Sequence, residues 1–516
     1  MDKNLQTVFH YHETTKHSYQ RYARSLGYMD WATQPNPFRE YTDTQKMKLP
    51  LALQNHTPPY ASLDEELPSA PLVLESLSQF LQFSMGLAAW KVSGGSSWAV
   101  RCNASSGNLH PSESYMIMPP LLGNAKSTIY HYAPKNHELE LLAEFETDFW
   151  NSQQEGSFIV GLSSIVWREV WKYGERAFRY TQLDAGHAWQ SFVVSAKMLG
   201  WKITRLDNIT HKNITQTLGL NQESRFFEDE IADMLLMVSP ERVDASLSLD
   251  TLVDDIPYLF KGTANKLSPS MQEWEIIPAI EEATSVDEKV QQRVEYYHVK
   301  KREPTRESKD VVLNRRSIHV MDKIESFITK KQFYMIMQSV NGSLDGKKNA
   351  THLVLFVNRV KECESGLYIL VRNKRDLEDL KSLTKSEFLW KKTDLENLYF
   401  LQKADFKQIS KEISCNQDIA SDGAFSLGML SNFSQQLHDN GAHRYKELYW
   451  ECGAIGQQLY LEATSLGLSG TGIGCFLDDD MHRVLGLHDN RFQILYHFTV
   501  GRGYVDSRIQ TRKPYA

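Results

Sequence analysis

No stretch of this chain approaches the run of about 18 apolar residues that a membrane-spanning helix needs, so no membrane role is expected. Cysteine is scarce. The five present (Cys102, Cys363, Cys415, Cys452 and Cys475) are scattered among 516 residues with no C-x-x-C pair. That pattern excludes a disulfide frame and a recognisable zinc spacing, and it fits reduced thiols in a cytoplasmic protein. Positive charge is lacking too: a formal net charge of −7 is not the basic footprint of a nucleic-acid binder. The opening residues, MDKNLQTVFHYHETTKH, contain no apolar segment of the kind a secretory signal carries. What is present is the composition of an ordinary globular protein, 41% hydrophobic and 23% charged. The length calls for two large domains rather than one.

The sequence repeats itself. LDAGHAWQSFVVSAKMLGW (Leu183–Trp201) and WECGAIGQQLYLEATSLGL (Trp450–Leu468) align without gaps. At one constant offset Asp184 meets Glu451, Gly186 meets Gly453, Gln190 meets Gln457, and Ala196 meets Ala463. Both segments are apolar around most of their circumference, as a buried helix is. IYHYAPKNHELELL (Ile129–Leu142) likewise resembles LYILVRNKRDLEDL (Leu367–Leu380). Helix-like runs precede short apolar strands in both halves, which gives an α+β fold in two copies rather than a doubly wound sheet. The expected boundaries are an irregular N-terminal arm over 1–60, a first domain over 61–261, a connector over 262–310, and a second domain over 311–516.

Four stretches carry candidate chemistry. NRRSIH opens the second copy, and Arg315, Arg316 and Ser317 suit a phosphate, since guanidinium groups bind it through forked, charge-assisted bonds. A solvated turn reads the same way. In RCNASSGNLHP, Ser105, Ser106 and Asn108 surround Gly107 on a tight loop able to hold the polar edge of a heterocycle, or simply to cap a turn. GLSGTGIGCFLDDD (Gly467–Asp480) lacks the ending of a P-loop and follows a helix, so it is no dinucleotide fingerprint. Its three aspartates are expected to cap and begin the next helix. The C-terminal tail carries Arg502, Arg508, Arg512 and Lys513. His10, His12 and His17 have no further ligand in register, so no metal site is expected.

In this order, these pieces resemble the nitroreductase-like flavoproteins, most of all the azoline-dehydrogenase (SagB-like) branch in its tandem form. The arm's YHETTKHSYQRYARSLGYMDWATQPNPF, RCNASSGNLHP, TGIGCF and YHFTVGRGYVDSR carry the likeness along almost the whole chain. The resemblance implies two nitroreductase-like domains paired as an intramolecular pseudo-dimer, with FMN at their interface and NAD(P)H as a candidate electron donor. By the same likeness Arg315, Arg316, Ser317 and Arg508 would hold the phosphate. Gly472, Ile473 and Gly474 would lie against the ring near N5, and Ser105, Ser106 and Asn108 would come from the partner domain. No catalytic residue is assigned; Tyr115, His110 and Cys475 merely adjoin these segments.

Projected through the repeat, Gly472–Gly474 fall on Arg205–Asp207, and Ser105–Asn108 fall near Ser343–Gly346. Neither projected segment keeps the pattern: the second copy would supply the phosphate and N5 side and the first the partner loop, the other pseudo-symmetric site having decayed, so one FMN per chain is expected. The implied activity is hydride transfer through the flavin, either azoline dehydrogenation or nitro or quinone reduction, on a small molecule or a modified peptide. The alternative is a non-catalytic binding or partner subunit of the same fold. The pseudo-dimer would serve as the functional monomer, with further association left open.

Overall fold

The computed structural model describes residues 2–121, 123–286, 306–343 and 349–515. Residues 287–305 of the connector and most of the Ser343–Gly346 segment lie outside them.

Each half contains a seven-stranded sheet. In the first, β1 (Lys46–Lys48), β2 (Ser112–Met118), β3 (Ser127–Ala133), β4 (Glu138–Phe145), β5 (Phe158–Ser164), β6 (Lys202–Leu206) and β7 (Ile231–Ser239) lie in the order β1-β4-β3-β2-β5-β7-β6. In the second, β8 (Thr351–Val357), β9 (Gly366–Leu370), β10 (Lys391–Lys392), β11 (Leu398–Lys403), β12 (Phe425–Asn432), β13 (Ser469–Ile473) and β14 (Phe492–Gly501) lie in the order β10-β11-β9-β8-β12-β14-β13. Six of the seven positions match; the edge position does not, because β1 precedes the other strands of its sheet in the chain whereas β10 falls between β9 and β11. Every residue of THLVLFV in β8 is buried, as expected for a central strand covered on both faces. The two halves are thus two copies of one α+β unit.

Between the sheets run the two matched helices, α2 (Ala177–Lys197) and α3 (Arg444–Ser465), after a shorter N-terminal helix α1 (Lys3–Thr14). Ala185, Ala188, Trp189 and Phe192 of α2 pack with the first sheet, in one cluster with Trp450 and Ala454 of α3. Ile455, Leu459 and Ala463 pack with the second sheet. The helices touch at their paired glycines: a methyl on Gly186 would strike the carbonyl oxygen of Trp450, and one on Gly453 that of Leu183. Leu183 and Trp450 are themselves matched positions, so the contact is reciprocal, as in a two-fold symmetric dimer interface.

The likeness between the copies stops at the edges. Ile129–Leu142 forms the β3–β4 hairpin, whereas the corresponding Leu377–Leu383 is helical and the next long strand waits until β11. The arm, expected to be irregular, begins with helix α1, capped by Asp2, whose side chain accepts from Asn4 N. Leu5, Val8, Tyr11 and His12 bury one of its faces, but charged and polar residues between them hide the pattern. The arm also supplies edge strand β1 to the first sheet. At the other end of the chain Gln510–Arg512 pairs with Leu87–Ser93 of the first copy, so the tail fastens the two halves together. Among the described residues no helix is long and apolar enough to cross a membrane.

Candidate functional site

The segment that opens the second copy is driven into the first. Arg315 is buried, and its guanidinium donates to the carbonyl oxygens of Cys102 (2.9 Å) and Arg101 (2.9 Å) while lying 5.2 Å from the centre of the Tyr460 ring. Arg316, half-buried, donates to the carbonyls of Leu313 (2.7 Å) and Arg315 (2.6 Å). Burial pulls the pKa of Arg316 down to about 10, and the neighbouring charge of Arg315 adds to the effect. Lys91, from the small sheet of the first copy, is lowered by burial and then by Arg316. Among the described residues none of these three cations forms an ion pair. Like charges gathered without a carboxylate are unfavourable by themselves and attract an anion.

Tyr460 on α3 joins this cluster to the glycine-rich strand β13. Its hydroxyl lies 2.8 Å from Ser317 Oγ and accepts from Gly472 N at 2.8 Å. Thr471 Oγ1 accepts from Ile318 N (2.9 Å) and donates to Ile318 O (2.6 Å). Gly472 has a packing reason of its own, since a methyl there would fall inside the hydroxyl of Tyr496. A tyrosine of the neighbouring strand thus requires this glycine whether or not a ring lies against it. Gly474 O accepts from Tyr180 at 3.0 Å, whereas its N–H donates to nothing among the described residues. Tyr496 continues to His187 (3.2 Å), and His187 to Gln457 (3.2 Å). Burial holds the His187 pKa down to about 3, so the ring is neutral.

Gln457 leads to the loop of the first copy. It accepts from Ala104 N (3.1 Å) and donates to Cys102 O (3.3 Å), the same carbonyl that Arg315 holds. The loop makes a tight left-handed turn at Gly107, Asn108 and His110. Ser105 Oγ accepts from His110 N, and Asn108 donates to Ala99 O. Ser106 gives both its N–H (3.0 Å) and its hydroxyl (2.9 Å) to Asp184 of α2. Burial raises the Asp184 pKa to about 7. Close by, both carboxylate oxygens of buried Glu169 lack a partner among the described residues, as do Asn103 Oδ1 and His110 Nδ1. Burial and then the charge of Asp184 push the Glu169 pKa well up.

Three of the four groups expected at the site thus converge: Arg315–Ser317, Gly472–Gly474 and Ser105–Asn108. Arg508 does not join them. Its side chain, 85% exposed, pairs with Asp506 at 2.7 Å, a neighbour that a tail with alternating charge supplies locally. Tyr115 lies inside the first sheet, bonded to Tyr41 and Glu230. Asp478 does not cap a helix either; it is buried between Arg176 (3.0 Å) and Arg179 (2.7 Å). Asp479 stands at the N-cap of the helix Asp480–Leu485, without a side-chain cap bond, and Asp480 opens its first turn. Sequence reading missed Lys91, Tyr460, Tyr496 and His187; His187 and Tyr460 stand in the repeat and Tyr496 opens YHFTVGRGYVDSR, but nothing local marks them as site residues. Asp184 and Gln457 stood in the repeat and were noticed there only as matched positions.

The symmetry-related place is built differently. Arg205, standing where the repeat places Gly472, lies 5.6 Å from the ring centre of Trp189 and 5.2 Å from that of Trp450. It pairs with Asp207 (3.2 Å) and Glu447 (2.7 Å). Trp189 itself stands where the other copy has Gly456. The space left there, lined by His211, Asp233, His443, Lys446 and Trp450 among others, is about 30 Å³. That admits a water and falls far below the roughly 300 Å³ of the smallest ligand pockets.

The nitroreductase-family sequence model matches residues 364–502. A crystal structure of a nitroreductase candidate from Anabaena variabilis superposes with a TM-score of 0.69 at 20% identity, covering 96% of this chain and 99% of that one. The Escherichia coli microcin synthetase McbBCD complex aligns with 47% of this chain and 95% of that chain at 18% identity, with a TM-score of 0.28, too slight a likeness to argue from. The trifolitoxin-processing protein TfxB of Rhizobium leguminosarum bv. trifolii is 24% identical over 129 residues, 23% of this chain and 35% of that protein. This chain therefore spans about a third of the length of that relative. The fold is nitroreductase-like: two nitroreductase-like domains in one chain, paired as an intramolecular pseudo-dimer.

Proposed function

We propose that this chain is an FMN-dependent oxidoreductase with one flavin where the two copies meet. The observation that carries the reading is the cluster of Lys91, Arg315 and Arg316, three cations without an ion-pair partner among the described residues, beside Ser317 and the β13 strand. A flavin phosphate carries roughly −1.5 to −2 charges, and its binding would relieve their mutual repulsion. Arg316, Lys91 and the Ser317 hydroxyl would hold the phosphate. Arg315, fixed on the Cys102 and Arg101 carbonyls, would orient the segment. The unengaged N–H of Gly474 and the orphaned polar atoms around Asn103, His110 and Glu169 suit the polar edges of a ring system.

When bound, the flavin supplies hydride transfer. The chain's part is to bind it, exclude water, and place a substrate against it. The neutral His187–Tyr496 pair positions the strand. The TfxB likeness favours a peptide substrate and oxidation of a peptide-borne azoline over reduction of a nitro compound. A non-catalytic subunit remains the competing reading.

The test is direct. Purified full-length protein should show flavin absorbance, and the released chromophore should run as FMN at a ratio near one per chain. Protein that is colourless and takes up no FMN on reconstitution would defeat the reading, and a ratio near two would defeat the single site. Anaerobic addition of NADH and NADPH then reveals whether a nicotinamide reduces the flavin. If neither bleaches it, the substrate itself is the hydride donor.

A further inference from the structure

One cluster of chemically soft side chains lies outside the machinery described so far. His17 comes from the N-terminal arm, Cys415 from the turn after the helix Lys407–Ile413, and Cys475 from the residues just beyond β13. Their imidazole nitrogen and two sulfurs all lie within 4.8 Å of one another. They are 398 and 60 residues apart along the chain by their numbering, Cys415 less His17 and Cys475 less Cys415. No spacing motif could have revealed them.

Each of the three is held from behind. His17 is clamped at its backbone on both sides of one residue: its N–H donates to Asp478 Oδ2 (2.8 Å), and its carbonyl accepts from Asp478 N (3.1 Å). Asp478 is in turn fixed by the buried Arg176 and Arg179. The two cysteine segments are laced together by Leu477 N donating to Ile413 O (2.7 Å) and by Gln417, whose side-chain amide donates to both Ser414 O (2.8 Å) and Cys475 O (3.2 Å). Cys415 and Asn416 take up a left-handed turn, with φ of 54° and 57°. Neither is glycine, so the turn carries strain that the surrounding bonds must hold. The ring of Tyr22 lies 4.7 Å from that of His17, covering the cluster from the arm side.

The spacing accommodates a metal ion as well as a thiol–imidazole hydrogen bond. A zinc ion with Zn–S of about 2.3 Å and Zn–N of about 2.05 Å at the tetrahedral angle sets sulfur and nitrogen about 3.6 Å apart. Cys475 Sγ and His17 Nδ1 are 3.7 Å apart. Two thiolates balance the charge of a divalent ion, and the one nearby arginine, Arg176, is already engaged by Asp478. Two sulfurs and an imidazole in this arrangement select zinc over harder ions. A disulfide would use only the two sulfurs and leave the rigid presentation of His17 without a purpose.

We propose that His17, Cys415 and Cys475 form a three-ligand zinc site, open to solvent at its fourth position, that pins the N-terminal arm to the second copy. Both cysteines are only half-buried, which leaves a path for the ion and room for a water ligand. The site ties His17 to residues 398 and 458 positions further along the chain, 415 less 17 and 475 less 17, immediately beside Gly472–Gly474, so the arm is locked over that side of the domain interface. The inference does not depend on the flavin reading.

Cobalt(II) is the probe that needs no variant. Titrated into the reduced full-length protein, it should give a thiolate-to-cobalt charge-transfer band saturating at one ion per chain, and zinc should displace it. Metal analysis of protein purified without chelator should find about one zinc. Cys415→Ser, Cys475→Ser and His17→Ala should each weaken zinc binding at least ten-fold, while Cys363→Ser should not. Zinc should also slow tryptic cleavage within the arm of the parent protein and leave the rate unchanged in Cys475→Ser. Absence of the cobalt band, parent-like zinc affinity in Cys415→Ser, or a Cys415–Cys475 disulfide formed in preference to metal binding would each overturn the proposal.

Discussion

At the scale of single residues, the two arginines that open the second copy divide the work between them. Arg315 is consumed by backbone carbonyls of the other copy, so its loss should unfasten the halves and lower stability. Arg316 is less buried, and its carbonyl partners are Leu313 and Arg315 of its own segment and, at 3.4 Å, Ala88. A charge-assisted bond is worth about 1.5–3 kcal/mol, so Arg316→Ala should weaken FMN binding roughly ten-fold or more, read by fluorescence titration of the apoprotein. Arg508→Ala should leave that affinity unchanged; equal losses in both variants would mean a diffuse electrostatic effect instead of a site. Gly472→Ala should destabilise the fold by about 1–3 kcal/mol through overpacking. Because the obstruction is the Tyr496 hydroxyl, adding Tyr496→Phe should recover part of the loss in a thermal melt.

Asp184 connects this scale to the element that carries it. Burial lifts its folded pKa to about 7 from the usual 3.8. Between those values the folded protein keeps a proton that the unfolded chain releases. Its contribution to stability is therefore complete below the unfolded pKa and is lost as pH rises toward the folded one. In urea melts, the stability of the parent relative to Asp184→Asn should fall between pH 5 and pH 8. A difference independent of pH would mean that Asp184 is ionised throughout. The helix bearing it was legible in the sequence because Gly186 and Gly453, matched by the repeat, are also the residues that touch. The central strands were legible as apolar runs such as THLVLFV. Helix α1 was hidden by its polar residues, and the change from hairpin to helix after β9 by the resemblance of the two segments themselves. At the site, local motifs gave three backbone-rich segments. Tyr460, Tyr496 and Lys91 were invisible because only the tertiary fold brings them there. Arg205 shows the same limit in reverse. The repeat exposed the missing glycine, but not that the arginine fills the space between two tryptophans. Breaking that buried ion pair with Arg205→Ala should cost about 3–5 kcal/mol in unfolding free energy without reducing bound FMN. A gain of a second flavin would show that this side chain alone closes the other site.

For the molecule as a whole, the duplication has become a division of labour. The copies share six of seven sheet positions and meet at the same helix, yet their equivalent crevices hold different things: three cations without an ion-pair partner among the described residues on one side, and Arg205 paired with Asp207 and Glu447 on the other. The crevice proposed for the flavin is also shared in its covalent origin. Lys91, Cys102 and Ser106 belong to the first copy, while Arg315, Arg316, Tyr460 and Gly474 belong to the second. The tail strand Gln510–Arg512 returns to the first copy, and His12 of the arm reaches Tyr445 and Gln493 of the second. Neither half can then complete the site alone. Cutting the chain within residues 287–305, which join the two described regions, and co-expressing the pieces should give a complex that retains flavin. Either piece by itself should bind none and should aggregate or unfold, because the α2–α3 contact removes a large apolar surface from water. Gel filtration with absorbance detection reads both outcomes. A second-copy fragment that bound FMN alone would place the whole site in residues 306–516 and reduce the first copy to a scaffold.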